Sequence, residues 1–385
     1  MKTEPVRGFK DYTGKEAEKR AVIKEIVKGI FQRYGFEPAE TPVIELEEFV
    51  KSSGNEEDEA VSDIYKLKDK GKRNLALRYE FTFQLKRLMK NKKLPYKRFQ
   101  IGPVFRDEPI KGNRLRQFIS CDVDVLGGGL KEQADAFSAV KEILDKLKVE
   151  SIIYVNNRKL LDEILNETGV KEKDKEQVIR EIDKLDKLSK KEVEQNLEKY
   201  NAKKVLEVLS NKEEYFKKYS SYKEISELKK YCSYYGFNVI FAPYLARGLS
   251  YYTGTVFEVK SKKIKETIFG GGEYIFNNVN GFGFGVSIER LSVITNLDVK
   301  IEKYLVVSLN QNKKAIQLVK KLRAQGKNTS LYYGKPSKAL EYANSYDFKK
   351  VIFVGTKEVQ KKSIKIKNMQ TGKERNISLT KIKSV

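Results

Sequence analysis

The segment between about residues 156 and 232 constrains the fold most. It is long, charged and helical in pattern, as in KEKDKEQVIREIDKLDKLSKKEVEQNLEKY (171–200), with no fixed repeat. On both sides the sequence is rich in β-formers. LALRYEF (75–81), YKRFQIGPVFRDE (96–108) and RQFISCDVDVLG (116–127) read as strands before it. FNVIFAPYLARGLSYYTGTVFEV and GFGFGVSIERL follow it. A sheet interrupted by a solvated helical insertion is therefore expected. Helical spacing at Ala21, Ile23, Ile26, Val27, Ile30, Phe31 and Tyr34 predicts a helix over 17–34, ended by Gly35 and Pro38. ETPVIE (40–45) is extended, and its Pro42 suits an edge or interface strand. Residues 131–150 return to an amphipathic helix.

The end of the chain is a separate expectation. YLVVSLN (304–310) reads as a buried strand, Lys313 to Ala324 as a helix left through Gly326, and NTSLYYG as a second strand. A helix near 336–346 and the apolar run KKVIFVG follow. Strands alternating with helices predict a small, partly parallel sheet with its own core. Residues 302–385 hold 20 Lys+Arg against 5 Asp+Glu, which is most of the whole chain's net charge of +24. Such a basic module suits a polyanion.

Several chemistries are excluded by what is missing. The 385 residues contain no histidine, which removes Ser-His-Asp and Cys-His nucleophile systems, imidazole metal sites and any histidine acid or base. Cys121 and Cys232 lie far apart with no CxxC, so no disulfide scaffold or zinc site is expected. No apolar run approaches a membrane span, and MKTEPVRGFKDY lacks the apolar core of a secretory signal. A soluble protein of a reducing compartment, the cytoplasm, is the expectation, with no membrane partner.

Three constellations could carry chemistry. Phe105 to Phe118 places Arg106, Arg114 and Arg116 around a loop with Pro109 and Gly112. An arginine at a strand end can grip a phosphate with both arms of its fork, and a neighbouring phenylalanine can stack on a purine. Leu245 to Gly254 sets Arg247 before paired tyrosines. Gly270-Gly271-Gly272-Glu273-Tyr274 and Gly281-Phe282-Gly283-Phe284-Gly285 permit close backbone approach to a ligand, although neither GxGxxG nor GxxxxGK[ST] is present. Taken singly, each also reads as an ordinary hairpin or core strand.

Together, in this order, they resemble the histidyl-tRNA synthetase family of class II aminoacyl-tRNA synthetases over nearly the whole chain. VRGFKDY (6–12) resembles the family's opening segment, ETPVIE its motif 1, LALRYEFT (75–82) a histidine-contacting strand, GPVFRDEPIKGNRLRQF its motif 2 and GFGFGVSIERL its motif 3. ARGLSYYTGTVFE is similar to the family peptide usually written RGLDYYTGTVFE. The resemblance implies an α+β fold with an antiparallel catalytic sheet and flanking helices. Its catalytic core would be 1–155 and 233–301, with a helical insertion at 156–232 and an anticodon-binding α/β domain at 302–385. It implies that histidine is activated by ATP to histidyl-adenylate and transferred to the 3′ end of tRNA(His), with Mg²⁺ accompanying ATP but no protein metal site, in a homodimer.

By the same resemblance Arg106 would grip the α-phosphate, Arg290 the γ-phosphate, and Arg114 the triphosphate. Glu108 would contact adenine and Phe118 stack on it. Arg247 would serve both the α-phosphate and the substrate carboxylate. Glu80 and Thr82 would hold the α-amino group, Tyr252 and Tyr274 line the imidazole pocket, and Asp124 accept an imidazole N–H. Three positions depart from the family pattern: Ser120 for glutamine, Ser250 for aspartate and Glu273 for arginine. A chain without histidine can be translated without any charged histidine tRNA. Two other readings stand beside the enzyme: a non-catalytic paralogue serving as a histidine-binding regulatory subunit or RNA sensor, and a plain RNA-binding protein. Retention of Arg106, Arg290 and the basic C-terminal module counts against the regulatory class.

Overall fold

The computed structural model describes residues 3–52, 63–110, 115–186, 188–247, 251–299 and 301–378. It divides into two compact units, Met1–Tyr12 with Lys19–Leu297, and Thr13–Glu18 with Asp298–Val385.

In the first unit an eight-stranded sheet runs β1 (Glu37–Pro38), β5 (Tyr96–Phe105), β6 (Gln117–Leu126), β11 (Val279–Ser287), β10 (Ile264–Phe276), β9 (Tyr252–Ser261), β7 (Ile152–Asn157), β8 (Ile240–Phe241). Its six long strands pair antiparallel, and a parallel strand closes each edge. Period-two alternation gives the sheet two unlike faces. Phe99, Val123, Phe257, Phe269, Phe282 and Phe284 project into the main core. There they meet the helices Gly14–Arg33 and Leu130–Lys146, whose buried Ile23, Val27, Ile30 and Ala134, Phe137, Val140 recur at helical spacing. Phe137 sits edge-on to Phe257 at 4.5 Å between ring centroids.

The helices between Arg158 and Tyr234 expose their charges but bury one stripe each. Leu161, Val178, Val193, Leu206 and Leu228 belong to the same continuous core as the sheet. The strand expected over 75–81 is shorter: β4 (Asn74–Leu77) pairs with β2 (Ile44–Leu46) and β3 (Lys66–Lys68) in a small separate sheet. Beyond Leu77 the Arg78 side chain is buried, donating from Nε to the Pro103 carbonyl at 2.8 Å and from Nη1 to the Thr41 carbonyl at 2.7 Å.

The second unit holds a five-stranded sheet, β13 (Asn328–Tyr333), β12 (Lys303–Ser308), β14 (Lys350–Val354), β15 (Ser363–Asn368), β16 (Glu374–Ser378). The first three are parallel, and the last two antiparallel. Val306 and Ile352 pack on one face with the helix Asn312–Ala324, while Leu305, Val307 and Phe353 pack on the other with Pro336–Ser345. The antiparallel pair lies beyond the strands the sequence reading names. Its Ile364 and Ile366 are buried between lysines that point outward.

Candidate active site

The alternation Gly281-Phe282-Gly283-Phe284-Gly285 puts both phenylalanines in the core and leaves glycines on the opposite face. That face is a floor, and strand register orders it in rows. One row runs Gln100, Asp122, Gly285, Gly270, Glu258; the next runs Arg98, Asp124, Gly283, Gly272, Val256. A third begins with Gly281 and Tyr274, and Tyr274 pairs with Tyr252. The glycines keep the floor open. A Cβ on Gly283 would meet Asp124 Oδ1 at 2.5 Å and the Tyr274 ring at 2.9 Å.

Asp124 and Tyr274 meet here. The Tyr274 hydroxyl donates to Asp124 Oδ1 at 2.5 Å, and Arg98 Nη2 pairs with Oδ2 at 2.6 Å. Burial, then the Asp124 charge, push the Tyr274 phenol well above its ordinary range, so it stays a donor. Arg98 is fully buried, and its Nε and Nη1 have no hydrogen-bond partner among the described residues. Tyr252 stacks beside Tyr251 at 4.6 Å, and Tyr251 lies edge-on to Tyr274 at 6.3 Å. Glu80 reaches the same cluster: after burial and Tyr252, its charge helps raise the Tyr251 phenol. Thr82 is placed by its backbone, its carbonyl accepting the Leu85 N–H at 3.0 Å.

Two of the arginines, Arg247 and Arg106, stand at the first row. Arg247 lies over Gly270, where any side chain would collide with its guanidinium. Its Nη1 pairs with Glu258 Oε1 at 2.8 Å. Burial opposes the charge of Arg247, but Tyr252 and Glu258 outweigh it and raise the pKa further, so the cation is permanent. Its backbone is left-handed, at φ +57°, a conformation costing a non-glycine residue on the order of 1 kcal/mol. The Thr267 carbonyl accepts from Arg290 Nη1 at 2.7 Å. Arg290 sits in the first turn of the helix Ile288–Ile294, capped by the Ser287 hydroxyl. Glu289 anchors that turn to Arg20 at 2.6 Å and to the Ile119 N–H.

Arg106 leaves the end of β5 with its guanidinium 5.4 Å above the Phe118 ring and Nε donating to the Tyr79 carbonyl at 3.2 Å. It is close enough to Asp122 to stabilise that carboxylate. Glu108 is half-buried, and its carbonyl accepts from Arg116 Nε at 3.3 Å. Arg114 and Ser250 lie outside the described residues. Of the other departures from the family pattern, Ser120 donates to Asp122 at 2.5 Å, and Glu273 points away from the floor to Gln133 at 3.0 Å.

Sequence reasoning missed Arg98, Asp122, Tyr251, Glu258 and Thr267. For Asp122 a signal existed: Ser120, Asp122 and Asp124 alternate with Cys121, Val123 and Val125, which marks one polar strand face. Arg98 and Glu258 carried no such mark, since each meets its partner only in the folded chain.

Known proteins bear the same combination. A family model described as histidyl-tRNA synthetase matches residues 8–291, and one described as an anticodon binding domain matches 303–385. The histidine–tRNA ligase 1 of Bacillus cereus (strain ATCC 10987 / NRS 248) is 32% identical over 100% of this chain and 97% of that protein. The histidine–tRNA ligase of Clostridium acetobutylicum is 30% identical over 97% of each. Among solved structures, the histidyl-tRNA synthetase from Nostoc sp. PCC 7120 has a TM-score of 0.86 at 21% identity, covering 100% of this chain and 99% of that one. An ATP phosphoribosyltransferase regulatory subunit/histidyl-tRNA synthetase from Bacillus halodurans C has a TM-score of 0.76 at 20% identity, covering 91% and 98%. The two structural likenesses speak for the fold, and the sequence matches for descent: the chain belongs to the histidyl-tRNA synthetase family.

Proposed function

We infer that this chain is a histidine–tRNA ligase, which joins histidine to ATP as histidyl-adenylate and then transfers the histidyl group to the 3′ end of tRNA(His). The observation that carries the reading is the glycine floor, where Arg247 pairs with Glu258 over Gly270 and Arg106 stands by the same row at Asp122, with Arg290 held at the Thr267 carbonyl.

In the first reaction a substrate carboxylate oxygen attacks the α-phosphorus of ATP, and the bond to the departing pyrophosphate breaks. Two anions must approach, and negative charge grows on phosphate oxygens. Positioned cations lower that barrier more than any proton transfer would. Arg247 takes the carboxylate and the α-phosphate, Arg106 the α-phosphate, and Arg290 the γ-phosphate, with Arg114 a further triphosphate contact. Phe118 offers adenine the ring face opposite Arg106, and Glu108 contacts the base. Asp124, oriented by Tyr274 and Arg98, accepts an imidazole N–H. Tyr252 walls the pocket, and Glu80 and Thr82 hold the α-amino group. The step needs no histidine base, so the missing residue costs the mechanism nothing.

Among the described residues no group of three acidic or cysteine side chains could hold a metal. Mg²⁺ would accompany ATP and offset part of its phosphate charge, which suits an ion that keeps much of its water. The basic second unit binds the anticodon stem of the tRNA, with Tyr333, Tyr342 and Tyr346 exposed for stacking. The enzyme is a cytoplasmic homodimer. Exposed Ile44, Leu46 and Leu67 form an apolar face of the small sheet that a second copy covers. Among the described residues no helix is long and apolar enough to cross a membrane.

Likeness to a regulatory-subunit structure favours a second reading, a histidine-binding paralogue without catalysis. Histidine-dependent exchange of pyrophosphate into ATP separates the two. Exchange with histidine is expected; a purified, folded chain giving none with any amino acid would leave only the non-catalytic readings.

A further inference from the structure

The floor holds a second carboxylate that the reading above does not use. Asp122 and Asp124 are two residues apart on β6 and project from one face, so their side chains leave the strand roughly 7 Å apart. Asp124 already pairs with Arg98 and accepts from Tyr274. Among the described residues no cation forms an ion pair with Asp122, and only the Ser120 hydroxyl donates to it. Its Oδ1 would lie 3.0 Å from a Cβ on Gly285. The next residue in that row is Gly270, which lies beneath Arg247. One row of the floor thus offers an anion and a cation on either side of two glycines.

We propose that Asp122 is a specificity-determining residue that receives the α-ammonium group of the histidine substrate together with Glu80 and Thr82. The inference rests on the ligase reading and adds a residue to it. Five bonds of about 1.5 Å separate the far ring nitrogen of histidine from its α-nitrogen. A substrate whose ring sits at Asp124 therefore reaches the row of Asp122 with its backbone end. Its carboxylate is then directed across the glycines to Arg247, and its ammonium meets Asp122. Ser120 stands where the family usually carries a glutamine that contacts the substrate; too short for that, it holds the Asp122 carboxylate toward the cleft instead. An arriving ammonium also compensates a carboxylate that burial disfavours.

The test compares Asp122→Asn with the wild type in binding histidine, histidinol and the deamino analogue 3-(imidazol-4-yl)propanoate. Losing a charged partner is expected to weaken histidine and histidinol at least about tenfold. The deamino analogue and ATP should bind within about twofold of wild type, which also certifies the fold. Equal weakening of all three imidazole ligands, or of none, overturns the assignment. Should Asp122→Asn fail to fold, Asp122→Ser gives the same comparison with a smaller side chain. Wild-type pyrophosphate exchange, measured first, keeps the two ideas apart. Its absence overturns the ligase reading, whereas exchange combined with undiminished histidinol binding in the variant overturns the role of Asp122 alone.

Discussion

At Arg247 the chain accepts a left-handed backbone to place a guanidinium over Gly270, and the surrounding anions hold that charge in place. If its chief work is on the reacting phosphate, Arg247→Ala will lower histidine-dependent exchange at least about 100-fold, with histidine affinity falling far less. Equal losses in exchange rate and in equilibrium binding would refute that division. Asp122 supplies a pH prediction. Burial raises its carboxyl above the ordinary range, against the hydrogen bond from Ser120 and the charges of Arg98 and Arg106. The folded state therefore holds this proton to higher pH than the unfolded chain does. Stability from this group falls as pH rises from the ordinary carboxylate range through the raised value, and does not return above it. Asp122→Asn removes that loss, so the melting temperature of the unliganded variant relative to wild type should be more favourable at pH 7 than at pH 4. A difference that is constant, or larger in acid, would contradict it. A more stable variant that binds substrate poorly is the expected trade at a binding site.

On the scale of the element, β11 does two tasks with one period. Its phenylalanines fill the core and its glycines clear the substrate side, so the GFGFG spacing is both a packing and a binding requirement. Gly283→Ala inserts a methyl group against Asp124 and Tyr274. Overpacking of this kind costs about 1–3 kcal/mol, little enough for the fold to survive. Exchange with histidine should nevertheless drop at least about 100-fold while ATP still binds, because the imidazole slot is filled. Retained histidine affinity in a folded variant would show the slot lies elsewhere. The sequence made this strand legible, since alternation at period two needs no tertiary information. It did not reveal that β4 stops at Leu77 or that Arg78 is buried among carbonyls, because those carbonyls come from distant residues.

For the whole molecule, two surfaces carry expectations. The apolar face of Ile44, Leu46 and Leu67 predicts a light-scattering mass near twice the 44.5 kDa of one chain. Leu46→Asp should shift it toward a single chain's mass, and an unchanged dimer would place the interface elsewhere. The concentration of positive charge beyond residue 301 predicts tRNA affinity that falls steeply as salt rises. A loss of at least about tenfold between 50 and 200 mM is expected from a handful of phosphate contacts. Affinity indifferent to salt would remove the phosphate backbone as the main contact. The helices between Arg158 and Tyr234 illustrate a limit of reading by composition. Their charge suggested a solvated appendage, yet residues at helical spacing bury one stripe of each in the common core.

By itself the sequence determined the periodicities, the charge asymmetry and the motifs, because those depend on residues near one another along the chain. From them followed the β-rich core, the interrupting helices, the basic α/β unit and the family. Tertiary structure decided which charges meet. Arg98 reaches Asp124 because antiparallel register carries them into one row, and Glu258 reaches Arg247 and Thr267 reaches Arg290 only because folding lays a loop and a helix against the sheet. Hydrogen bonds and ion pairs act over a few ångströms, and only folding brings such residues within that range.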